Sequence, residues 1–163
     1  MLIYFLRHGD ASSHSRFDDN ERPLTDLGHK QAAYVGKFLQ YTKAHINIIL
    51  TSPLTRACET GAIVQSFVST LRTETSEYLL NGTHPKQLFK RIAEFDVESA
   101  LLVGHEPFLS DTISLLIGGD HKTEIEMKKC NLALVEVLEP IRPGTGILKQ
   151  LLDVETISKF IKP

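Results

Sequence analysis

Short continuous apolar runs alternate along this chain with stretches in which apolar residues recur every three or four positions. That alternation predicts strands buried on both faces, each feeding an amphipathic helix. Leu2-Ile3-Tyr4-Phe5-Leu6 is the first run, ended by Arg7-His8-Gly9 and a polar stretch from Asp10 to Glu21. Arg22-Pro23-Leu24-Thr25 then supplies Thr25 as an N-cap, and Ala32, Val35, Phe38 and Leu39 hold helical spacing over about Asp26 to Tyr41. Ile46 to Leu50 reads as a second strand, after which Thr51-Ser52-Pro53 turns the chain into a helix through Ala57, Ile63, Val64 and Phe67. A weaker stretch predicts a short strand over Arg72 to Tyr78, a turn at Asn81-Gly82 and a helix from about Pro85 to Phe95. Ala100 to Val103 is the clearest buried strand; Pro107 opens the next helix, with Leu109, Ile113, Leu116 and Ile117 on one face, and Gly118-Gly119 stops it. Leu132 to Leu138 and Gly146 to Leu152 read as two more strands around the Pro140 to Gly144 turn, and Val154 to Ile161 as a terminal helix.

This order predicts an α/β fold with a mostly parallel sheet, helices on both faces and an antiparallel hairpin near the C-terminus. The 163 residues suit a single domain spanning 1–163, with no repeat or linker. Eighteen Lys and Arg against 20 Asp and Glu leave no basic stripe for a phosphate backbone, so nucleic acid is not an expected partner. No apolar stretch approaches a bilayer span, and Leu2 to Leu6 is too short for the core of a signal peptide. Cys58 and Cys130 form no CxxC pair, which points to the reducing cytoplasm. With no heptad run, a monomer is the default.

Ligands of parallel α/β sheets bind beyond the carboxyl ends of the strands. Arg7-His8-Gly9, Thr51-Ser52-Pro53 with Arg56 a turn further, and Gly104-His105 each follow a predicted strand, so three polar clusters are expected to converge. Their chemistry suits a phosphoryl group. Arg7 and Arg56 would bind it as planar, permanently charged forks. Between two such cations His8 would stay neutral and act as the nucleophile, and His105 would donate to the equatorial oxygens. No metal and no cofactor is called for: His105-Glu106-Pro107 lacks the second histidine of H-E-x-x-H, and Pro107 breaks its helical register. Arg22, in the loop before the first helix, is expected to reach back to the phosphate or the substrate.

Arg7-His8-Gly9, Leu24-Thr25-Asp26-Leu27-Gly28 with Gln31-Ala32, Ser52-Pro53-Leu54-Thr55-Arg56-Ala57 with Glu59-Thr60, and Val103-Gly104-His105 together resemble the histidine phosphatase superfamily. Within it the chain is most similar to the short phosphohistidine phosphatase SixA branch, through Arg22-Pro23-Leu24-Thr25, Gly104-His105-Glu106-Pro107 and Lys128-Lys129-Cys130-Asn131-Leu132-Ala133. The resemblance implies a three-layer α/β/α, phosphoglycerate mutase-like fold. It also implies that His8 is phosphorylated and that Arg7, Arg56 and His105 complete the pocket. The implied activity is a metal-independent phosphatase acting on phosphohistidine in a protein. The competing readings are a small-molecule phosphomonoesterase with the same site and a non-catalytic phosphate-binding regulatory module.

Longer relatives such as the phosphoglycerate mutases carry a catalytic Glu where this chain reads Glu77-Tyr78-Leu79-Leu80-Asn81-Gly82-Thr83-His84 with no clear equivalent. Its absence is tolerable for a phosphoramidate, because a protonated imidazole leaves more readily than an alkoxide. Asp10, Asp18, Asp19 and Glu106 are candidate proton donors by location alone and are read as structural or solvated, and Glu59 as a helix-surface charge or a partner of Arg56. His14, His29, His45, His84 and His121 are read as ordinary surface or core residues.

Overall fold

The computed structural model describes residues 1–13 and 15–161. His14 therefore lies outside the described residues, as do Lys162 and Pro163 at the end of the expected 1–163 domain. Four strands, β1 (Leu2–Arg7), β2 (Ile48–Thr51), β3 (Arg72–Thr75) and β4 (Ser99–Gly104), pair in parallel. Two more, β5 (Leu132–Val137) and β6 (Gly146–Leu152), extend the sheet beyond β1 in antiparallel fashion, giving the order β3-β2-β4-β1-β5-β6. The predicted C-terminal hairpin is this last pair.

The helices are α1 (Asp26–Tyr41), α2 (Thr55–Gln65), α3 (Pro85–Ala93), α4 (Phe108–Gly118) and α5 (Val154–Phe160). Ile3, Phe5, Ala100 and Leu102 point to one side of the sheet, where they pack with Leu88 and Phe89 of α3 and Leu109 and Ile113 of α4. The intervening Tyr4, Leu6, Leu101 and Val103 point to the other side and meet Val35 of α1, Val64 of α2 and Ile157 of α5. Both faces are covered, which is why β1 and β4 are apolar without alternation. The result is the three-layer α/β/α arrangement.

Local signals set the ends of several elements. Thr25 caps α1 by accepting Gly28 N–H through its side chain at 3.1 Å, and Gly119 ends α4 at φ +81°. Where the observed ends differ from the periodicity, a tertiary contact has intervened. Phe67 leaves the helical pattern after α2 and lays its ring over Gly36 of α1, so closely that a Cβ there would stand 2.4 Å from it. Ile46 is buried but precedes β2, because the Asn47 side chain takes the Ser99 N–H at 3.0 Å in place of a strand partner.

One close approach sets the position of the loop after β1. A Cβ on Gly28, in the first turn of α1, would lie 2.0 Å from the Asp10 carbonyl oxygen, and one on Gly9 would lie 2.8 Å from the Gly28 carbonyl oxygen. Loop and helix thus meet backbone to backbone. Gly28→Ala should lower stability by about 1–3 kcal/mol, since neither backbone can yield without moving the other. Thermal unfolding followed by circular dichroism reads this, and a melting temperature unchanged from wild type would refute the close approach.

Candidate active site

The parallel register brings the sequence-predicted clusters together. Arg7 lies opposite Gly104 and Thr51 opposite Val103, so His8, Ser52 and His105 emerge side by side from β1, β2 and β4. Backbone bonds continue the ladder past the strand ends, from His8 N–H to the Gly104 carbonyl at 3.1 Å and from Ser52 N–H to the Val103 carbonyl at 2.8 Å. The His8 and His105 rings stand 5.0 Å apart between centroids, tilted by 53°. Arg56, in the first turn of α2, is 6% exposed, and Arg7 closes the group from the end of β1.

Hydrogen bonds settle the protonation of the His8 ring. Its Nδ1 lies 2.7 Å from the Gly9 carbonyl oxygen, which can only accept, so Nδ1 carries the hydrogen. Burial lowers the His8 pKa to about 4, against the opposing Gly9 bond and with the help of Arg56, Arg7 and Lys129. The ring is therefore neutral and its Nε2 lone pair is free of a proton. Burial also lowers His105, to about 3, with His8 and Arg56 adding to it and Asp19 opposing.

Five buried side-chain polar atoms among the described residues have no hydrogen-bond partner, and three of them, Arg7 Nε, Arg56 Nε and His105 Nδ1, belong to this group. Buried donors in a folded protein normally find acceptors. Two guanidinium N–H groups without acceptors and an unpartnered imidazole nitrogen, clustered beside a neutral histidine, form a setting for an anion with several oxygens.

The remaining bonds position these groups. Arg7 Nη1 donates to the Met127 carbonyl at 2.8 Å, and Arg56 Nη1 to the Asp19 carbonyl at 2.6 Å. The Asp19 carboxylate accepts from Arg56 Nη2 at 3.3 Å and from Arg22 Nη1 at 3.0 Å. Arg22 itself donates to the Ser12 carbonyl at 2.6 Å, which puts it on the Asp19 side of Arg56. Thr60 joins α2 to the histidine loop, accepting Gly9 N–H at 3.1 Å while donating to the Arg56 carbonyl at 2.7 Å. Asp10 is held by Lys129 and by the Thr25 hydroxyl, and those bonds keep its carboxyl below the usual range.

Several residues weighed in the sequence fall into structural places. Glu59 is neither a free surface charge nor a partner of Arg56, because its carboxylate accepts Leu24 N–H at 2.7 Å. Glu106 accepts Ser110 N–H at 3.1 Å in the first turn of α4, and burial raises its pKa. His84 caps α3 by accepting Lys86 N–H at 3.2 Å, and His29, His45 and His121 are exposed. Burial pushes the Cys130 thiol up to about 12. The Thr60, Lys129 and Asp19 contacts had no assigned role in the sequence reading, although Thr60 sits four residues after Arg56 on α2, a spacing that places it on the same helix face.

Arg7 also lines two polar cavities. One, of about 870 Å³, runs past Lys129 and Asn131 toward Asp153 and Thr156; the other, of about 690 Å³, runs past Glu106 and Met127 toward His121. An apolar cavity of about 510 Å³ beside Met1, Phe89 and Ile141 opens at the opposite, amino ends of the strands, away from the histidines. No helix among the described residues is long and apolar enough to cross a membrane.

Comparison with known proteins places the chain in a family. The sequence pattern of the histidine phosphatase superfamily (branch 1) matches residues 3–81, which contain Arg7, His8, Arg22 and Arg56. An uncharacterized protein of Picosynechococcus sp. is 30% identical over 149 residues, 81% of this chain and 82% of its own length. The solved structure of the protein histidine phosphatase SixA complexed with tungstate superposes with a TM-score of 0.85 at 22% identity, covering 99% of this chain and all of that one. A putative α-ribazole-5′-P phosphatase from Escherichia coli superposes with a TM-score of 0.75 at 18% identity, covering 94% and 98% of the two chains. The ordered motifs, the sheet order that unites them and these likenesses agree that the chain belongs to the histidine phosphatase superfamily.

Proposed function

We propose that this phosphatase removes the phosphoryl group from phosphohistidine in another protein, through a phosphohistidine intermediate on His8. The observation that carries the reading is the bond between His8 Nδ1 and the Gly9 carbonyl at 2.7 Å, which directs the lone pair of a neutral ring to Nε2. In the first step Nε2 attacks phosphorus and the substrate's N–P bond breaks, its imidazole leaving with a proton already on the other nitrogen. In the second, water attacks phosphorus, the bond to His8 breaks, inorganic phosphate departs and the ring returns to its neutral form. Arg7, Arg56 and His105 hold the equatorial oxygens as charge builds on them, and Arg22 supports Arg56 through Asp19. None of these steps needs a metal or a cofactor.

Two features support the phosphoramidate over an ester. Asp10 is tied to Lys129 and Thr25, and Asp19 to Arg56, so these two carboxylates near the rings have other partners. An imidazole leaving group makes the least demand for an added proton. The likeness to SixA, a protein histidine phosphatase, is consistent with that choice, and two free cysteines accord with a cytoplasmic setting.

The test compares kcat/KM on a phosphohistidine-bearing protein with kcat/KM on a panel of sugar and alkyl phosphates. A preference of at least about a hundredfold for the phosphoramidate is expected, equivalent to roughly 2.7 kcal/mol of transition-state discrimination. Equal turnover of the monoesters would replace this reading with a small-molecule phosphomonoesterase. Tight vanadate binding with no phosphoenzyme would replace it with a regulatory phosphate-binding module.

A further inference from the structure

Ser52 has no part in the chemistry just described, yet it is fully buried and its Oγ lies 2.7 Å from Nε2 of His105. The direction of this hydrogen bond matters. A neutral imidazole has one N–H, and a serine hydroxyl can satisfy either ring nitrogen as donor or as acceptor. If His105 donated through Nε2, its Nδ1, unpartnered in the group beside His8, would carry a lone pair that repels a phosphoryl oxygen. If Ser52 donates, Nδ1 carries the hydrogen.

The neighbours of Ser52 decide between the two. Its Oγ already receives the Leu54 N–H at 3.4 Å. Were His105 also a donor, two N–H groups would converge on one oxygen, and the buried hydroxyl hydrogen would have no acceptor among the described residues. With Ser52 donating to Nε2, each hydrogen in this chain has an acceptor up to the last, on Nδ1. That nitrogen is one of the three unpartnered atoms beside His8, together with Arg7 Nε and Arg56 Nε.

We infer that Ser52 is a positioning residue that holds His105 in its Nδ1–H form and so converts the ring into a phosphoryl-oxygen donor. Burial of His105 keeps a second proton off the ring, so the choice of tautomer decides whether the pocket meets a donor or an acceptor. The carbonyl of Ser52 adds rigidity by accepting the Cys58 thiol at 3.3 Å, which ties the serine to α2 beside Arg56. This role rests on the phosphatase reading for its purpose but not for its observation.

The experiment is long-range proton–nitrogen correlation spectroscopy of the protein labelled with ¹⁵N-histidine, with His105 assigned by the signals lost in His105→Ala. The wild-type ring is expected as Nδ1–H without any ligand, and in Ser52→Ala it should revert to the Nε2–H form that a free side chain favours. Orthovanadate affinity should fall by about ten- to a hundredfold in Ser52→Ala, the range for a hydrogen bond to a charged group. Ser52→Thr, which keeps the hydroxyl, should retain the tautomer. A wild-type ring in the Nε2–H form overturns the inference whether or not any variant folds, and so does a Ser52→Ala protein that keeps Nδ1–H and full affinity. A wild-type Nδ1–H ring in a protein whose His8 takes up no phosphate counts against the phosphatase reading while supporting the role of Ser52.

Discussion

His8→Ala is expected to abolish the phosphoenzyme and to lower turnover by roughly 10⁴-fold or more, because both chemical steps pass through its Nε2. The variant should fold. His8 adds little to the core, its backbone N–H bond to Gly104 is unaffected by the side chain, and the lost bond to the Gly9 carbonyl costs about 1 kcal/mol. Incubation with a ³²P-labelled phosphohistidine protein, followed by denaturing electrophoresis, reads the intermediate directly. Label that is acid-labile and base-stable should appear on the wild type and be missing from His8→Ala. Retention of that label in the variant would move the nucleophile elsewhere in the chain.

His105→Ala is expected to cost about 10²–10³ in kcat/KM, the usual effect of removing one preorganised donor from a site of developing negative charge. Unlike His8→Ala it should still form the phosphoenzyme, only slowly, since the nucleophile and both arginines remain. With ring centroids 5.0 Å apart, His105 stands beside the ring whose Nε2 attacks phosphorus, so a hydrogen it donates acts on the oxygens of that same phosphoryl group as their charge builds, which is why the loss falls on the transition state. Rapid-quench measurement of phosphoenzyme formation and breakdown checks it. A loss confined to KM, or a variant as fast as wild type, would remove His105 from the oxygen-binding role.

Much of this architecture was legible in the residue order. Ala100 to Val103 is the clearest buried strand in the residue order, and β4 is buried along its whole length. Thr25 and Pro85 announced helix starts, and α1 and α3 begin within a residue of them. Arg7, His8 and His105 were conspicuous because each follows an apolar run, and in a parallel sheet all such ends lie on one edge. Where the reading stopped short, at Ile46 and Phe67, a long-range contact displaced the local preference, and no periodicity carries that information.

The contacts that tune the site belong to the second kind. Ser52 and His105 are 53 residues apart, Arg56 and Asp19 are 37, Gly9 and Thr60 are 51, and Asp10 and Lys129 are 119. Each pair meets because β2, β4, β1 and β5 are neighbours in that order, a property of the assembled sheet and not of any segment. By itself the sequence determined which segments become strands and helices and which residue types wait at their ends, since burial periodicity and capping act over a few residues. Only the tertiary structure decided which ring nitrogen of His8 is bare, which of His105 is left without a partner and which carboxylates are already engaged. Those outcomes depend on hydrogen-bond partners and on burial, and both are supplied by distant parts of the chain.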